Sequence, residues 1–185
     1  MTINSVLQSK YIQGTWKIDP AHSEVSFSVR HLMIAKVRGV FETVDVTIVT
    51  PEDLKRTTIE AVIDVASVNT NQSDRDNHLR TSDFFLVDEH PTMTFSSTSL
   101  AVDGENFTVE GTLSMRGVTK PVTLKGEFGG VIVDAYGQTK AGATATTTIN
   151  RHDFGVSWNA ALEAGGVTLG DNVKIDIDIQ VVLQK

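Results

Sequence analysis

The chain has 185 residues and a net charge of −7, and 40% of its residues are hydrophobic. A globular domain of this size buries roughly 70% of its unfolded surface, so it needs neither disulfides nor structural metal to fold. The acidic balance argues against nucleic-acid binding, because a phosphate backbone requires a basic protein face, and it equally disfavours electrostatic docking of the whole protein onto anionic lipid. The absence of cysteine excludes thiol catalysis and cysteine-ligated metal sites.

No stretch approaches the roughly 18 apolar residues of a membrane-spanning helix. The first fifteen residues lack the apolar core of a secretory signal peptide. The sequence therefore predicts a cytoplasmic protein, or a periplasmic one if it is the mature form of an exported chain. We expect residues 1–14 to be an N-terminal extension and residues 15–185 to form one domain.

Apolar and polar residues alternate with period two through most of the chain, which is typical of half-buried strands. The run from Val173 to Leu183 shows the pattern over its whole length. Turn signals such as Asp103-Gly104 and Gly129-Gly130 separate the runs. Eight or nine antiparallel strands favour a closed barrel or a sandwich. The predicted strands are 15–19, 24–31, 39–49, 57–66, 92–101, 106–115, 119–129, 139–149 and 172–184.

Two segments interrupt the strand pattern. The first contains Ser73-Asp74-Arg75-Asp76, which has the form of a capping box and predicts a short helix over 74–81. The second runs from Asn150 to Ala164 and predicts a turn at Arg151–Gly155 followed by a helical turn over Trp158–Ala164.

Catalytic and metal-binding motifs are weak in this sequence. The histidines, which are His22, His31, His78, His90 and His152, lack the spacing that presents two imidazoles to one metal. The segment Asp74–His78 is the richest polar cluster and could support acid–base chemistry. The alternative is that Arg75 and its acidic neighbours fix a loop or helix across one end of the barrel.

The length of the predicted strands indicates the height of the barrel. A strand over 172–184 spans about 40 Å, so a tilted barrel would be roughly 30 Å tall and suits a long, thin ligand. The strand containing Ala141–Ala145 carries only small side chains, which would leave interior space. The alternative is that these alanines accommodate Phe27, Phe95 or Phe128 in a filled core.

A series of short motifs resembles the YceI-like family, in order, from about Thr15 to Leu183. The motifs are Trp16–Ser23, Phe27, Val29, His31-Leu32, Val37, Gly39–Phe41, Ile63-Asp64, Ser67–Thr70, Arg75-Asp76, His78-Leu79, Ser82–Phe85, Pro91–Phe95, Gly111–Leu113, Met115–Thr119, Pro121-Val122, Asn150-Arg151 and Asp153–Gly155.

The resemblance implies an all-β, extended, lipocalin-like antiparallel barrel of about eight strands with one or two short helices. It also implies that a polyisoprenoid, an isoprenoid quinone or a similar long amphiphile occupies a central tunnel. It does not imply an enzyme, and we expect none. We expect no cofactor or metal apart from that bound lipid, and the resemblance makes a homodimer plausible.

Strand parity and aromatic content give the candidate site residues. Residues Arg75, His78 and Arg151 are candidates for contacting a polar head group, and Met33, Phe84 and Phe85 are placed near a mouth. The tunnel candidates are Phe27, Val29, Phe41, Ile63, Met93, Phe95, Leu113, Met115, Leu124, Phe128, Ala143, Phe154, Trp158 and Ile177.

Two other functions remain open at this stage. The protein could be an enzyme acting on an isoprenoid or acyl substrate, with the Asp74–His78 cluster as acid and base. It could also be a stress-related structural barrel with a filled interior and a protein partner.

Overall fold

The computed structural model describes residues 11–163 and 165–185. Within these residues strands dominate, with one α-helix, α1 (Ser73–Leu79), and short 3₁₀ turns at Pro20–His22, Leu54–Arg56, Val65–Ser67 and Arg151–Phe154. The strands are β1 (Gly14–Ile18), β2 (Glu24–His31), β3 (Ala35–Phe41), β4 (Val44–Thr50), β5 (Thr58–Asp64), β6 (Val68–Asn69), β7 (Thr92–Asp103), β8 (Asn106–Met115), β9 (Val118–Val133), β10 (Thr139–Asn150) and β11 (Leu169–Leu183).

The strands close into an antiparallel barrel. One edge of β11 pairs with β10, and its other edge pairs first with β2 and then with β1. Strands β1 and β2 therefore act as one bent strand, and β3 and β4 run beside them in the same way. With β5, β7, β8, β9 and β10 the circuit contains eight long strands, which confirms the predicted barrel and leaves no long open edge.

The single strand predicted over 39–49 is wrong, because the chain forms β3 and β4 with a bend at Glu42 and Thr43. The cavity-lining residues have odd numbers in β3, such as Val37 and Phe41, and even numbers in β4, from Val44 to Ile48, whereas a regular strand keeps one parity. The sequence also gave no sign of the short strand β6, which pairs with β3.

The two predicted helical segments have different outcomes. Helix α1 forms, but its N-cap is Gln72, which accepts a hydrogen bond from the Arg75 amide. The predicted capping box is wrong because the Asp76 carboxylate accepts from the Thr70 amide and hydroxyl instead. The helical turn over Trp158–Ala164 is also wrong for residues 158–163, which are irregular apart from a bridge between Ala161 and Val167. Ala164 lies outside the described residues.

The two ends of the barrel carry different connections. The end that we call the α1 end carries the turn 32–34, the long connection 65–91 with α1, the turn 116–117 and the segment 151–168. The opposite end, called the far end, carries the connections 51–57, 104–105 and 134–138. The long connections at the α1 end supply Val65, Val68, Phe84, Phe154 and Val156 to the main core cluster.

The interior is filled unevenly around the barrel. In the halves of β5, β7 and β8 nearer the α1 end the inward side chains are buried, whereas Ile59, Ala61 and Phe107 nearer the far end are half-buried. The buried set is called the packed wall: Ile63, Met93, Phe95, Val109, Leu113 and Met115. The corresponding side chains of β10, β11 and β2, called the cavity wall, are only half-buried. Open volume therefore lies inside the barrel along the cavity wall.

Three phenylalanine rings cover glycines on neighbouring strands. A Cβ added at Gly39 would lie 2.5 Å from Phe27 Cζ, and one added at Gly126 would lie 2.3 Å from Phe107 Cζ. The ring of Phe95 covers Gly111 in the same way. Because glycine has no side chain, each ring can lie against the wall, where it leaves the middle of the barrel free.

Candidate functional site

The barrel encloses an apolar cavity of about 410 Å³. Its lining follows β11 from Leu169 to Ile179, which corresponds to a depth of roughly 25 Å for a tilted strand. The volume falls in the range of small-molecule sites, which are also mostly apolar with a few polar groups. The cavity is therefore deep and narrow, as a chain-like ligand requires.

Strand β10 provides the space on the cavity wall. Its lining residues include Ala143, Ala145 and Thr147, which are small, and the neighbouring β11 adds Ile175 and Ile177. In the sheet Ala143 pairs with Ile179, and Ala145 pairs with Ile177. Short side chains beside branched apolar ones leave a smooth apolar groove along these two strands. Ala141, at the far end of β10, does not line the cavity.

Most predicted tunnel residues do line the cavity. They come from all sides of the barrel and from the loops of the α1 end: Phe27, Val29, Phe41, Ile63, Phe84, Phe85, Met93, Phe95, Leu113, Met115, Leu124, Ala143, Trp158 and Ile177. Whether these residues contact a ligand stays a prediction.

Three predicted residues do not line the cavity. Met33 is 54% exposed at the tip of the β2–β3 turn and points to solvent. Phe128 follows the inward parity of β9 but lies where the pairing with β10 shifts at Gly142 and Ala143, beyond the cavity. Phe154 is fully buried in the core of the α1 end. Strand parity predicts that a side chain points inward, but it does not show whether the barrel interior at that level is packed or open.

The sequence analysis missed many lining residues that share the inward parity of their strands. These are Val25, Val37, Val44, Val46, Ile48, Ile59, Ala61, Phe107, Val109, Val122, Ala145, Thr147, Ile149, Val173, Ile175 and Ile179. Period-two alternation is the signal that could have found them. Leu79, His31, Thr168 and Leu169 also contribute, and their position depends on the loops.

Arg151 is the most deeply buried charged group beside the cavity, with 4% of its surface exposed. Its Nε donates to the Gly170 carbonyl at 2.8 Å, and its Nη1 donates to the carbonyls of Val156 and Trp158 at 2.9 and 2.8 Å. Its Nη2 is buried without a hydrogen-bond partner. Burial lowers the pKa of the Arg151 guanidinium from its ordinary value.

The other two head-group candidates also line the cavity at the α1 end. Arg75 donates to the Thr70 hydroxyl at 2.7 Å and to the Thr70 carbonyl at 2.8 Å. The His78 ring lies 2.8 Å from an Asp83 carboxylate oxygen, and it packs edge-on against Phe84 and Trp158 at 5.0 and 4.9 Å. The structure thus brings Arg75, His78 and Arg151 to one end of the cavity.

Two further arginines hold the loops of this end in place. Arg80 donates to the carbonyls of Ala66 and Val68. Arg116 donates to the carbonyls of Ser82 and Gly155 and so joins two loops that are distant in sequence. The sequence analysis did not identify either residue, because the acceptors that tie them to distant loops are backbone carbonyls, which no side-chain pattern reveals.

The far end is held by an ion-pair cluster instead. Lys140 Nζ lies 3.0 Å from Asp19 Oδ2 and 3.4 Å from Asp134 Oδ2. Hydrogen bonds from His22 and then from Lys140 lower the pKa of Asp19 to about 2. This cluster joins the β1–β2 corner to the β9–β10 hairpin. None of its members lines the cavity.

Together these features define a closed antiparallel barrel with an apolar internal cavity and a cationic group buried at one end. The chain belongs to the YceI-like family, because the model of the YceI-like domain matches residues 16–181. A UPF0312 protein of Staphylococcus aureus is 40% identical over 160 residues, which cover 85% of this chain and 91% of that protein.

Solved structures have the same architecture. A Campylobacter jejuni YceI protein superposes with a TM-score of 0.69 at 30% identity, covering 84% of this chain and 90% of that one. A domain from Saccharophagus degradans, described as polyisoprenoid binding and implicated in plant cell wall breakdown, gives a TM-score of 0.67 at 18% identity, covering 94% of this chain and all of that one. In the part of the chain that the structure describes, no helix is long and apolar enough to cross a membrane.

Proposed function

We propose that this protein binds a long-chain isoprenoid lipid, of the polyprenyl or isoprenoid quinone type, inside the barrel, and stores or transports it. The observation that supports this most strongly is the deep apolar cavity along β10 and β11. Binding is driven by the removal of apolar surface from water, at about 25 cal/mol per Å². The phenylalanines that lie against glycines and the small residues of β10 keep this volume open.

Family membership agrees with this proposal. The Saccharophagus degradans domain has the same fold and is described as polyisoprenoid binding. At 18% identity that likeness concerns the fold, so the ligand of this chain has to be argued from its own cavity. The narrow shape and nearly uniform apolar lining favour a hydrocarbon chain over a compact polar metabolite.

The polar head group of the ligand would lie at the α1 end. Burying a charged guanidinium without a counter-charge is costly unless its donors find acceptors. Arg151 has a buried Nη2 without a protein acceptor, and Arg75 and His78 line the same end. An oxygen of a quinone or of a phosphate would supply the missing acceptor. The hydrocarbon chain would then extend toward Ile179 and the far end.

Binding explains this polar end better than catalysis does. His78 is engaged by Asp83 and by two aromatic rings, and Asp76 accepts from Thr70. These contacts hold loops in place and leave no oriented nucleophile beside the cavity among the described residues. An internal cavity is also unexpected in a purely structural barrel, whose core would be filled.

Mass spectrometry of an organic extract of the purified protein tests the proposal. We expect a long-chain isoprenoid or acyl amphiphile at close to one per chain. Delipidated protein should gain thermal stability when quinones or polyprenols are added, because a ligand at about 100 times its dissociation constant adds roughly 2.7 kcal/mol. An apo mass together with no thermal shift would contradict the proposal.

Several finer expectations stay predictions within this proposal. They are the choice between polyprenyl and quinone ligands, the absence of any other cofactor, a homodimeric state and a cytoplasmic location. If the enzyme alternative were correct, extracted lipid would be turned over by the protein, and Arg75→Ala and His78→Ala would each abolish that turnover while the fold stayed intact.

A further inference from the structure

We infer that the β2–β3 hairpin docks the barrel onto the surface of an anionic lipid bilayer. The hairpin tip, which we define as Leu32, Met33 and Ile34, lies at the α1 end and is exposed. Ile34 is 84% exposed and Met33 is 54% exposed. Val167 is also exposed and lies close by, because the Leu32 amide donates to the Thr168 carbonyl at 2.7 Å. Four large apolar side chains therefore form one exposed patch.

The backbone of the hairpin tip adopts φ angles that its residue types disfavour. Leu32 and Met33 have φ values of 54° and 61°. A hairpin turn with two positive φ values favours Asn and Gly, because larger residues clash there. Leu32 and Met33 therefore occupy positions at which the backbone conformation favours other residue types. Such outliers concentrate at functional sites, where another requirement outweighs the strain.

The charges beside the tip complement an anionic surface. Arg30 and Lys36 face each other across the hairpin, and Arg38 follows on the same outward face. Like charges directly opposite one another destabilise a strand pair. None of the three forms an ion pair with a carboxylate among the described residues. The sequence between Glu24 and Glu42 contains no acidic residue, although the chain as a whole carries a net charge of −7.

The tip adjoins the cavity. His31, immediately before the tip, lines the cavity, and so do Leu169, which pairs with His31, and Thr168, which precedes β11. An apolar tip with flanking basic residues is the combination that inserts into the headgroup region of a membrane. Docking through this hairpin would place the α1 end of the cavity at the bilayer, where a lipid ligand enters or leaves.

The β9–β10 hairpin at the far end is a natural control. It also exposes apolar residues, since Ile132 is 64% exposed and Tyr136 is 91% exposed. The charges around it are different, because Lys140 is neutralised by Asp19 and Asp134. It therefore has exposed apolar surface without free positive charge.

Vesicle flotation with delipidated protein tests the inference without requiring any cavity ligand. We expect the protein to float with phosphatidylcholine vesicles containing about 30 mol% phosphatidylglycerol and to bind pure phosphatidylcholine much more weakly. The variant Arg30→Gln/Lys36→Gln/Arg38→Gln should bind the anionic vesicles at least ~10-fold more weakly, since each basic residue near such a surface contributes about fivefold.

A second variant separates docking from folding. The change Leu32→Asn/Met33→Gly/Ile34→Thr relieves the turn strain, so the melting temperature should stay equal or rise while vesicle affinity falls by ~10-fold or more. Ile132→Thr/Tyr136→Ser should bind vesicles within about twofold of the wild type. Equal vesicle binding by the tip variant and the wild type would overturn the inference.

Sedimentation of the same proteins distinguishes the other possible occupant. If the wild type is a dimer and the tip variant a monomer, the patch is covered by a second copy of the chain, and bilayer docking is wrong. If the oligomeric state is the same in both and only vesicle binding changes, docking is supported. If the protein yields extracted lipid but does not float with the vesicles, bilayer docking is wrong and the proposed function stands.

Discussion

The packed wall and the cavity wall are built from the same alternating pattern but have different interiors. On β8 of the packed wall, Val109 is 1% exposed and Leu113 is 6% exposed. On β10 and β11, Ala143, Val173 and Ile177 face the cavity and are half-buried. The comparison shows that alternation places a side chain inside the barrel, whereas side-chain size decides whether the inside is filled. Because side chains of both walls line the cavity, truncation on the packed wall is expected to cost more stability than truncation on the cavity wall.

Truncating one valine on each wall should give the largest difference in the free energy of unfolding. Val109→Ala should lower the free energy of unfolding by about 2–3 kcal/mol, because it removes methyl groups that are almost fully buried among neighbouring side chains. Val173→Ala should cost about 1 kcal/mol, because its side chain already borders open volume and has fewer contacts to lose. Urea denaturation of delipidated protein measures both values. Equal losses would show that the walls are packed alike.

Glycine-to-alanine substitutions compare how closely other atoms cover the backbone of two strands. A Cβ at Gly111 would lie 2.4 Å from the Ser96 carbonyl oxygen and 2.5 Å from Phe95 Cζ, so Gly111→Ala should cost about 1–3 kcal/mol through overpacking. Gly142 lies on the outward face of β10, opposite in parity to Ala143, and a Cβ there would meet its nearest atom at 3.9 Å. Gly142→Ala should therefore change stability by less than about 0.5 kcal/mol. A costly Gly142→Ala would mean that β10 is tightly covered.

Filling the cavity wall should affect binding more than folding. Ala143→Phe places a ring in the cavity, so the variant should lose at least ~10-fold in bound lipid while its delipidated unfolding midpoint stays close to that of the wild type. Thr148→Phe, on the exposed face of the same strand, is the matched control and should retain its lipid. Lipid per chain is measured by mass spectrometry. A midpoint loss equivalent to about 1–3 kcal/mol would instead indicate a filled core around Ala143.

The smallest expected effect concerns pH and the far end. Since the pKa of Asp19 is lowered to about 2, its carboxylate stabilises the fold above the unfolded pKa near 4 and loses this effect as the pH falls through about 2. At pH 6, Asp19→Asn should melt up to about 3 °C below the wild type, and the difference should vanish near pH 2. Asp178→Asn is an exposed control. A constant difference at every pH would show that the charge is not involved.

The sequence predicted which strand residues face the interior better than it predicted the bends and connections between strands. Period-two alternation placed Phe27, Leu113 and Ile177 correctly inside, because strand parity is a local property. It failed at Glu42 and Thr43, where the bend between β3 and β4 changes the parity. A closer count of the inward positions would have revealed that bend.

The cavity and its polar end could be predicted only in part. The small residues of β10 suggested open space, but periodicity alone favoured a filled core in which the same alanines accommodate aromatic rings. Arg151 was identified as a polar candidate, whereas its bonds to the carbonyls of Val156, Trp158 and Gly170 depend on the course of two loops. The strained β2–β3 tip followed from backbone angles that the sequence does not show.

Photo-crosslinking tests the central claim, that the lipid lies inside the barrel along the cavity wall. Delipidated protein would be incubated with a polyprenyl probe that carries a diazirine at its tail end. After irradiation, the labelled residues would be located by peptide mass spectrometry. We expect the label on β10 and β11, around Ala145, Ile177 and Ile179, and much less of it in Ala143→Phe. Label confined to exposed apolar residues such as Ile34 or Tyr136, or unchanged in Ala143→Phe, would contradict the account.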